Sequence, residues 1–140
     1  MRLRSFLDQV AALPEEPSAY MAYLAAPDTV EGDSIEIQLV PVVRVEWDDG
    51  AKIVRLYPEL PDSDDGTMPT VDDLMANFPP DSEITPEVRL QVQIPIVRSG
   101  AGYYHLGFIE IPEIVIGLES KELWLLTKPR KEYPAEELPA

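Results

Sequence analysis

The sequence contains no cysteine. Disulfide bonds, thiolate nucleophiles, zinc–thiolate sites and iron–sulfur clusters all need cysteine sulfur, so this chain can form none of them. Histidine is almost as scarce, because His105 is the only one among 140 residues. A catalytic triad or a histidine-based metal site would have to be built around this single residue.

Long apolar runs are also missing. The chain begins with Arg2 and Arg4 as a secretory leader would, but Asp8 and Gln9 interrupt the apolar run that follows. No other stretch approaches the roughly 20 apolar residues that a membrane-spanning helix needs. We therefore expect a cytoplasmic protein that does not bind membranes.

Basic residues are few: 11 lysines and arginines stand against 26 aspartates and glutamates, which gives a net charge of −15. Nucleic acid and anionic lipid would repel such a protein, so direct binding to either is not expected. A basic protein surface is the better electrostatic match. The alternative is that the acidity only maintains solubility.

Signatures of bound ligands are missing as well. The 7 glycines form neither a Walker loop nor a dinucleotide fingerprint, so we expect no nucleotide cofactor. The segment 62–66 invites a calcium interpretation, because hard cations prefer clustered carboxylates. With Gly66 as the sixth loop residue, however, Pro61 and Ser63 fall where an EF-hand needs oxygen ligands. We assign no metal site, no cofactor and no catalytic residue.

The length and the 45% hydrophobic content indicate one folded domain, which we place at residues 1–128. Residues 129–140 carry charges and prolines with few apolar side chains, which predicts a disordered tail or an interaction tail. Within the domain, Leu3, Phe6, Leu7, Val10 and Leu13 follow the period of an amphipathic helix that stops before Pro14. The segment 18–26 is either a short helix, which we favour, or a strand.

Two hairpins follow from alternating apolar residues. The first spans 34–57 around Asp48-Asp49-Gly50, and the second spans 88–111. A shift of 54 residues places 40–44 on 94–98 and 57–60 on 111–114, which suggests a duplication, although alternating apolar residues recur in any β protein. Pro41 and Pro95 favour edge strands or, at Pro41, a bulge. Further short strands are predicted at 114–116 and 123–126, with a helix over 119–126 as the alternative to the second.

The hairpins are joined by an acidic link, residues 61–86, which has no lysine or arginine. A capping box at Thr70 and Asp73 predicts a short helix from Val71 to Asn77. The sequence therefore predicts an α+β fold: an antiparallel sheet of two hairpins, covered by the N-terminal helix, with a short helix in the link. The link holds seven carboxylates, which are the predicted partner-binding residues: Asp62, Asp64, Asp65, Asp72, Asp73, Asp81 and Glu83.

Three functions are open to such a chain. The first is a non-enzymatic binding protein that docks a basic protein surface, in the manner of an inhibitor, an immunity protein or a nucleic-acid mimic. The second is a chaperone or assembly subunit that dimerises through edge strands. The order helix, hairpin, short helix, hairpin resembles the type III secretion chaperones, which are dimers that bind effector segments, although a C-terminal amphipathic helix is lacking. The third, an enzyme centred on His105, is the least favoured.

Aromatic residues near predicted strand ends are a further candidate for partner contacts, since partly exposed aromatics anchor protein interfaces. More often such residues belong to the core or its edge. The group consists of Trp47, Tyr57, Tyr103, Tyr104 and Trp124.

Overall fold

The structure is a computed structural model that describes residues 1–29, 35–58, 68–97, 104–134, 136 and 138. In these ranges, helices span Leu3–Ala11 (α1) and Val71–Met75 (α2), and 3-10 turns span Pro17–Ala19, Asp81–Glu83 and Arg130–Glu132. The strands are β1 (Met21–Thr29), β2 (Ile35–Asp48), β3 (Ile53–Pro58), β4 (Arg89–Val97), β5 (Tyr104–Glu110), β6 (Glu113–Gly117) and β7 (Glu122–Leu126).

These strands form one seven-stranded mixed sheet in the order β5-β4-β3-β2-β1-β7-β6. The pairs β3 with β4 and β1 with β7 are parallel, and the other neighbours are antiparallel. The predicted α+β fold with an antiparallel sheet of two hairpins is therefore wrong. Both hairpins form, but parallel ladders such as Met21 opposite Glu122 join segments far apart in the chain, which local patterns do not reveal.

The sheet curls into a half-barrel because its two edge strands are consecutive in the chain. Only Ile111 and Pro112 lie between β5 and β6. The outer strands of a flat seven-stranded sheet would be roughly 29 Å apart at the usual strand spacing. The link between Glu110 and Glu113 can span at most about 11 Å. The two edges must therefore meet at this corner, where Ile111 is fully buried.

The long strand β2 takes part in both halves of the curled sheet. Its first half pairs with β1 and its second half pairs with β3. The register shifts between Val42 and Arg44, directly after Pro41, and such a bulge bends a strand. The bulge predicted from Pro41 is therefore present, and the edge position is not, since β2 lies at the centre of the sheet.

The two prolines that suggested a duplication occupy different positions. Pro41 lies opposite Tyr23 of β1, whereas Pro95 lies opposite Leu106 within its own hairpin. The alignment of the two hairpins therefore does not correspond to equivalent structure. Both prolines also lie in interior strands, so the expectation that these strands form edges is wrong.

The helix favoured for residues 18–26 is also wrong, because most of this segment is strand β1. β1 lies between β2 and β7, and the adjacent residues Leu24 and Ala25 are both buried. A strand that is covered on both faces shows no alternation of apolar and polar residues. The alanines of this segment also favour a helix in isolation, so its local pattern does not indicate a strand.

The main core lies between the curled sheet and the two helices. α1 buries Leu3, Phe6 and Val10, which confirms its predicted amphipathic character. The Phe6 ring lies 6.0 Å from that of Phe78, just beyond α2. The N-terminus is fixed on β4 by the hydrogen bond from the Leu90 amide to the Met1 carbonyl (2.9 Å).

A second, smaller core covers the opposite face of β1 and β7. Here Tyr133 is only 5% exposed and packs with Ala25, Trp124 and Leu126. Its hydroxyl donates to the Ala25 carbonyl (2.7 Å) and accepts from the Thr127 amide (2.9 Å). The segment predicted as a disordered tail thus includes a turn that is docked on the sheet.

Candidate functional site

Four of the seven carboxylates predicted to bind a partner can be located. Asp72 and Asp73 lie in the first turn of α2, and Asp81 and Glu83 lie in the 3-10 turn that follows it, all of them exposed. We call these four the described acidic residues. The other three lie outside the described residues: Asp62, Asp64 and Asp65.

Two of the described acidic residues have structural roles. Asp73 forms the predicted capping box, in which its carboxylate accepts from the Thr70 amide (3.0 Å) and its own amide donates to Thr70 Oγ1 (3.2 Å). Asp81 accepts from the Arg4 guanidinium at 3.2 Å. Because Asp81 is 87% exposed, this ion pair contributes little to stability.

The other two are free of such roles in the described part of the chain. The Asp72 side chain makes no hydrogen bond or ion pair to another described residue. Glu83 lies within electrostatic reach of Lys52, in the turn between β2 and β3. The pKa of Lys52 is raised, chiefly by its 2.8 Å hydrogen bond to Asp49 and further by the charges of Glu83 and Glu87. Lys52 is thus surrounded by the negative charges of Asp49, Glu83 and Glu87.

A second candidate surface is the outer face of β2 to β5. The rings of Tyr57 and Phe108 meet edge to face, with centroids 5.6 Å apart and planes at 85°. The Arg44 guanidinium lies 3.8 Å from the centre of the Tyr57 ring, and that of Arg55 lies 5.3 Å from the centre of the Phe108 ring. Both distances are within the range of cation–π attraction. We call these four residues the arginine–aromatic corner.

Carboxylates on β2 complete the corner. Glu46 accepts from the Tyr57 hydroxyl at 3.2 Å and lies 3.6 Å from Arg44. Partial burial, followed by the charge of Glu46, raises the pKa of Tyr57. Asp48 accepts from Arg55 at 2.8 Å, and this hydrogen bond, together with the one from the Ala51 amide, lowers the pKa of Asp48. The carboxylates of Glu46 and Asp48 thus balance the two arginines of the corner.

Sequence reasoning identified Tyr57 but not its partners in the corner. The sequence does contain a signal for these partners. Residues that alternate with the apolar positions of β2 and β3 face the outer side of the sheet, and Arg44, Arg55 and Tyr57 are all among them. The other aromatic candidates have different environments: Trp47 is partly buried against the main core, Trp124 is 8% exposed, and Tyr103 and the Tyr104 side chain lie outside the description.

The remaining candidates add no site. His105 lies in β5 opposite Ile96, but its side chain is outside the described part of the structure. The calcium-like segment 62–66 is outside it as well. Among the residues that are described, no group of three or more histidines and carboxylates is placed to hold a metal ion.

No helix in the described ranges is long and apolar enough to cross a membrane. Comparison with known proteins finds no matching family model, no matching curated protein and no matching solved structure.

Proposed function

We propose that this chain is a non-enzymatic, cytoplasmic binding protein that docks a basic protein surface through its acidic residues. The observation that carries the proposal is the exposure of all four described acidic residues in a chain of net charge −15. Two of them, Asp72 and Glu83, have neither a capping role nor a close ion pair with another residue that the structure describes, so we take them as the residues available to a partner.

The physical effect of such residues is on the rate of association. Exposed carboxylates attract a basic partner over a distance set by the Debye length, about 8 Å at physiological salt. Steering of this kind raises association rates by roughly 10- to 1,000-fold over a neutral encounter, and salt weakens it. A partner bound in this way is expected to be captured at low ionic strength and released at high ionic strength.

The test uses a charge reversal that spares the structural carboxylates. The double variant Asp72→Lys, Glu83→Lys leaves the capping box and the Arg4 ion pair intact. The matched control is Glu119→Lys, Glu136→Lys, which makes the same change in net charge at exposed positions outside the acidic link. Each form is used to capture proteins from the native host at low and high salt.

The proposal predicts that the wild type and the control recover the same basic protein at low salt, and that the Asp72 and Glu83 variant does not. Recovery of no basic protein by the wild type would contradict it. Equal loss in both variants would also contradict it, because net charge alone would then account for binding.

A further inference from the structure

The arginine–aromatic corner combines groups that recognise a guanidinium, and the protein's own arginines occupy them. The two rings stand nearly perpendicular, each with a guanidinium within cation–π distance. The carboxylates of Glu46 and Asp48 lie beside these arginines. Aromatic faces next to carboxylates are the ordinary chemistry of arginine binding.

The two arginines are held to very different degrees. Arg55 is 21% exposed and lies 2.8 Å from Asp48, so it is fixed in the sheet face. The Arg44 side chain is 60% exposed, and its distance to Glu46, which is 51% exposed, is 3.6 Å. An exposed ion pair at this distance is weak. Arg44 is therefore the guanidinium that another cation can displace.

The neighbouring Phe108 adds an apolar contact, since it is 38% exposed and touches the Tyr57 ring edge to face. Tyrosine and arginine are the residue types that dominate the binding energy of protein interfaces, and they act where apolar neighbours exclude water. The outer face of β2 to β5 has this composition, whereas the opposite side of the same strands faces the main core.

We propose that the Tyr57 ring and the Glu46 carboxylate receive an arginine side chain of the basic partner, which takes the place of Arg44. This inference rests on the proposed function and adds a second contact with the partner, because the corner lies on the outer face of the sheet whereas α2 packs on its core side. A guanidinium fits better than an ammonium, because its plane can stack on the Tyr57 ring while its edge donates to Glu46. Arg44 thus acts as an internal substitute that keeps the site paired until the partner binds.

The proposal predicts opposite changes in affinity when either residue of the Arg44–Tyr57 pair is replaced. Arg44→Ala vacates the ring and frees Glu46, so it should strengthen binding of an arginine-bearing probe. Tyr57→Leu removes the ring without changing the charge, so it should weaken binding, by roughly two- to fivefold for an exposed cation–π contact. Tyr57→Phe keeps the ring and should retain most of the binding. Lys128→Ala, at an exposed position far along the chain, is the charge-matched control for Arg44→Ala.

The experiment titrates the 140-residue chain with nona-arginine and, separately, with nona-lysine, and follows the aromatic NMR signals of Tyr57 and Phe108. We expect nona-arginine to shift these signals, to bind more tightly than nona-lysine, and to gain more affinity from Arg44→Ala than from Lys128→Ala. Equal gains from the two alanine variants, equal binding of the two peptides, or unchanged affinity in Tyr57→Leu would each overturn the inference.

The two proposals fail in different ways. If Asp72→Lys, Glu83→Lys weakens capture of the basic partner while Tyr57→Leu does not, the proposed function stands and the arginine site is wrong. If neither variant affects capture, both proposals fail.

Discussion

Removing the hydroxyl of Tyr133 should destabilise the protein by about 2 kcal/mol. This hydroxyl accepts from the Thr127 amide and donates to the Ala25 carbonyl, and the side chain around it is only 5% exposed. In Tyr133→Phe the ring still fills its place, but both backbone groups lose their partner. An unsatisfied buried polar group costs about 1–3 kcal/mol. Thr127 is half-buried, so water can partly replace its bond, and the total stays near the middle of that range.

The assay is thermal and urea unfolding of Tyr133→Phe beside Tyr23→Phe. For a chain of this length, a loss of about 2 kcal/mol lowers Tm by roughly 6–10 °C. Tyr23 packs on the same smaller core, but its hydroxyl makes no hydrogen bond to another described residue, so its loss should change stability by less than about 0.5 kcal/mol. Melting temperatures within about 1 °C of each other would contradict this prediction. The hydrogen bonds of the Tyr133 hydroxyl would then not be what holds the C-terminal segment on the sheet.

Three further predictions concern charged side chains at the protein surface. Asp73→Ala should cost about 1 kcal/mol by urea unfolding because it breaks the capping box, whereas Asp72→Ala should stay within about 0.5 kcal/mol. Lys52 has a φ of 58°, so Lys52→Gly should raise Tm, since relief of about 1 kcal/mol of backbone strain exceeds the value of an exposed ion pair; a lower Tm would contradict this. The pKa of Asp48 is lowered from 3.8, so its pairing with Arg55 stabilises the fold above that pH and is lost as the pH falls through the lower folded value. Tm measured from about pH 6 to about pH 2 should therefore converge for wild type and Asp48→Asn at the acid end, and a constant gap would refute the assignment.

The elements that could be predicted from the sequence are those fixed by neighbouring residues. The α1 stripe, the turn after Asp48 and the cap at Thr70 each depend on residues within a few positions of one another, and each is found. The strand order could not be predicted in this way. Placing β7 beside β1 requires a contact across about a hundred residues, and nothing in either segment specifies its partner.

The same division applies to the candidate sites. A cluster of carboxylates in one link is visible in the sequence, because charge is a property of the residues themselves. The corner is not visible, because Tyr57 and Phe108 belong to different hairpins and meet only through the parallel pairing of β3 with β4. The corner can be located only when the register of β2, β3, β4 and β5 is known.

The proposed docking is tested most directly by the association rate of the captured basic protein with three forms of this chain, measured by stopped-flow at low salt. The account predicts a roughly tenfold slower rate for Asp72→Lys, Glu83→Lys, a weaker dependence of that rate on salt, and a much smaller change for Glu119→Lys, Glu136→Lys. Equal rates for the two double variants would contradict the claim that the acidic link forms the docking surface.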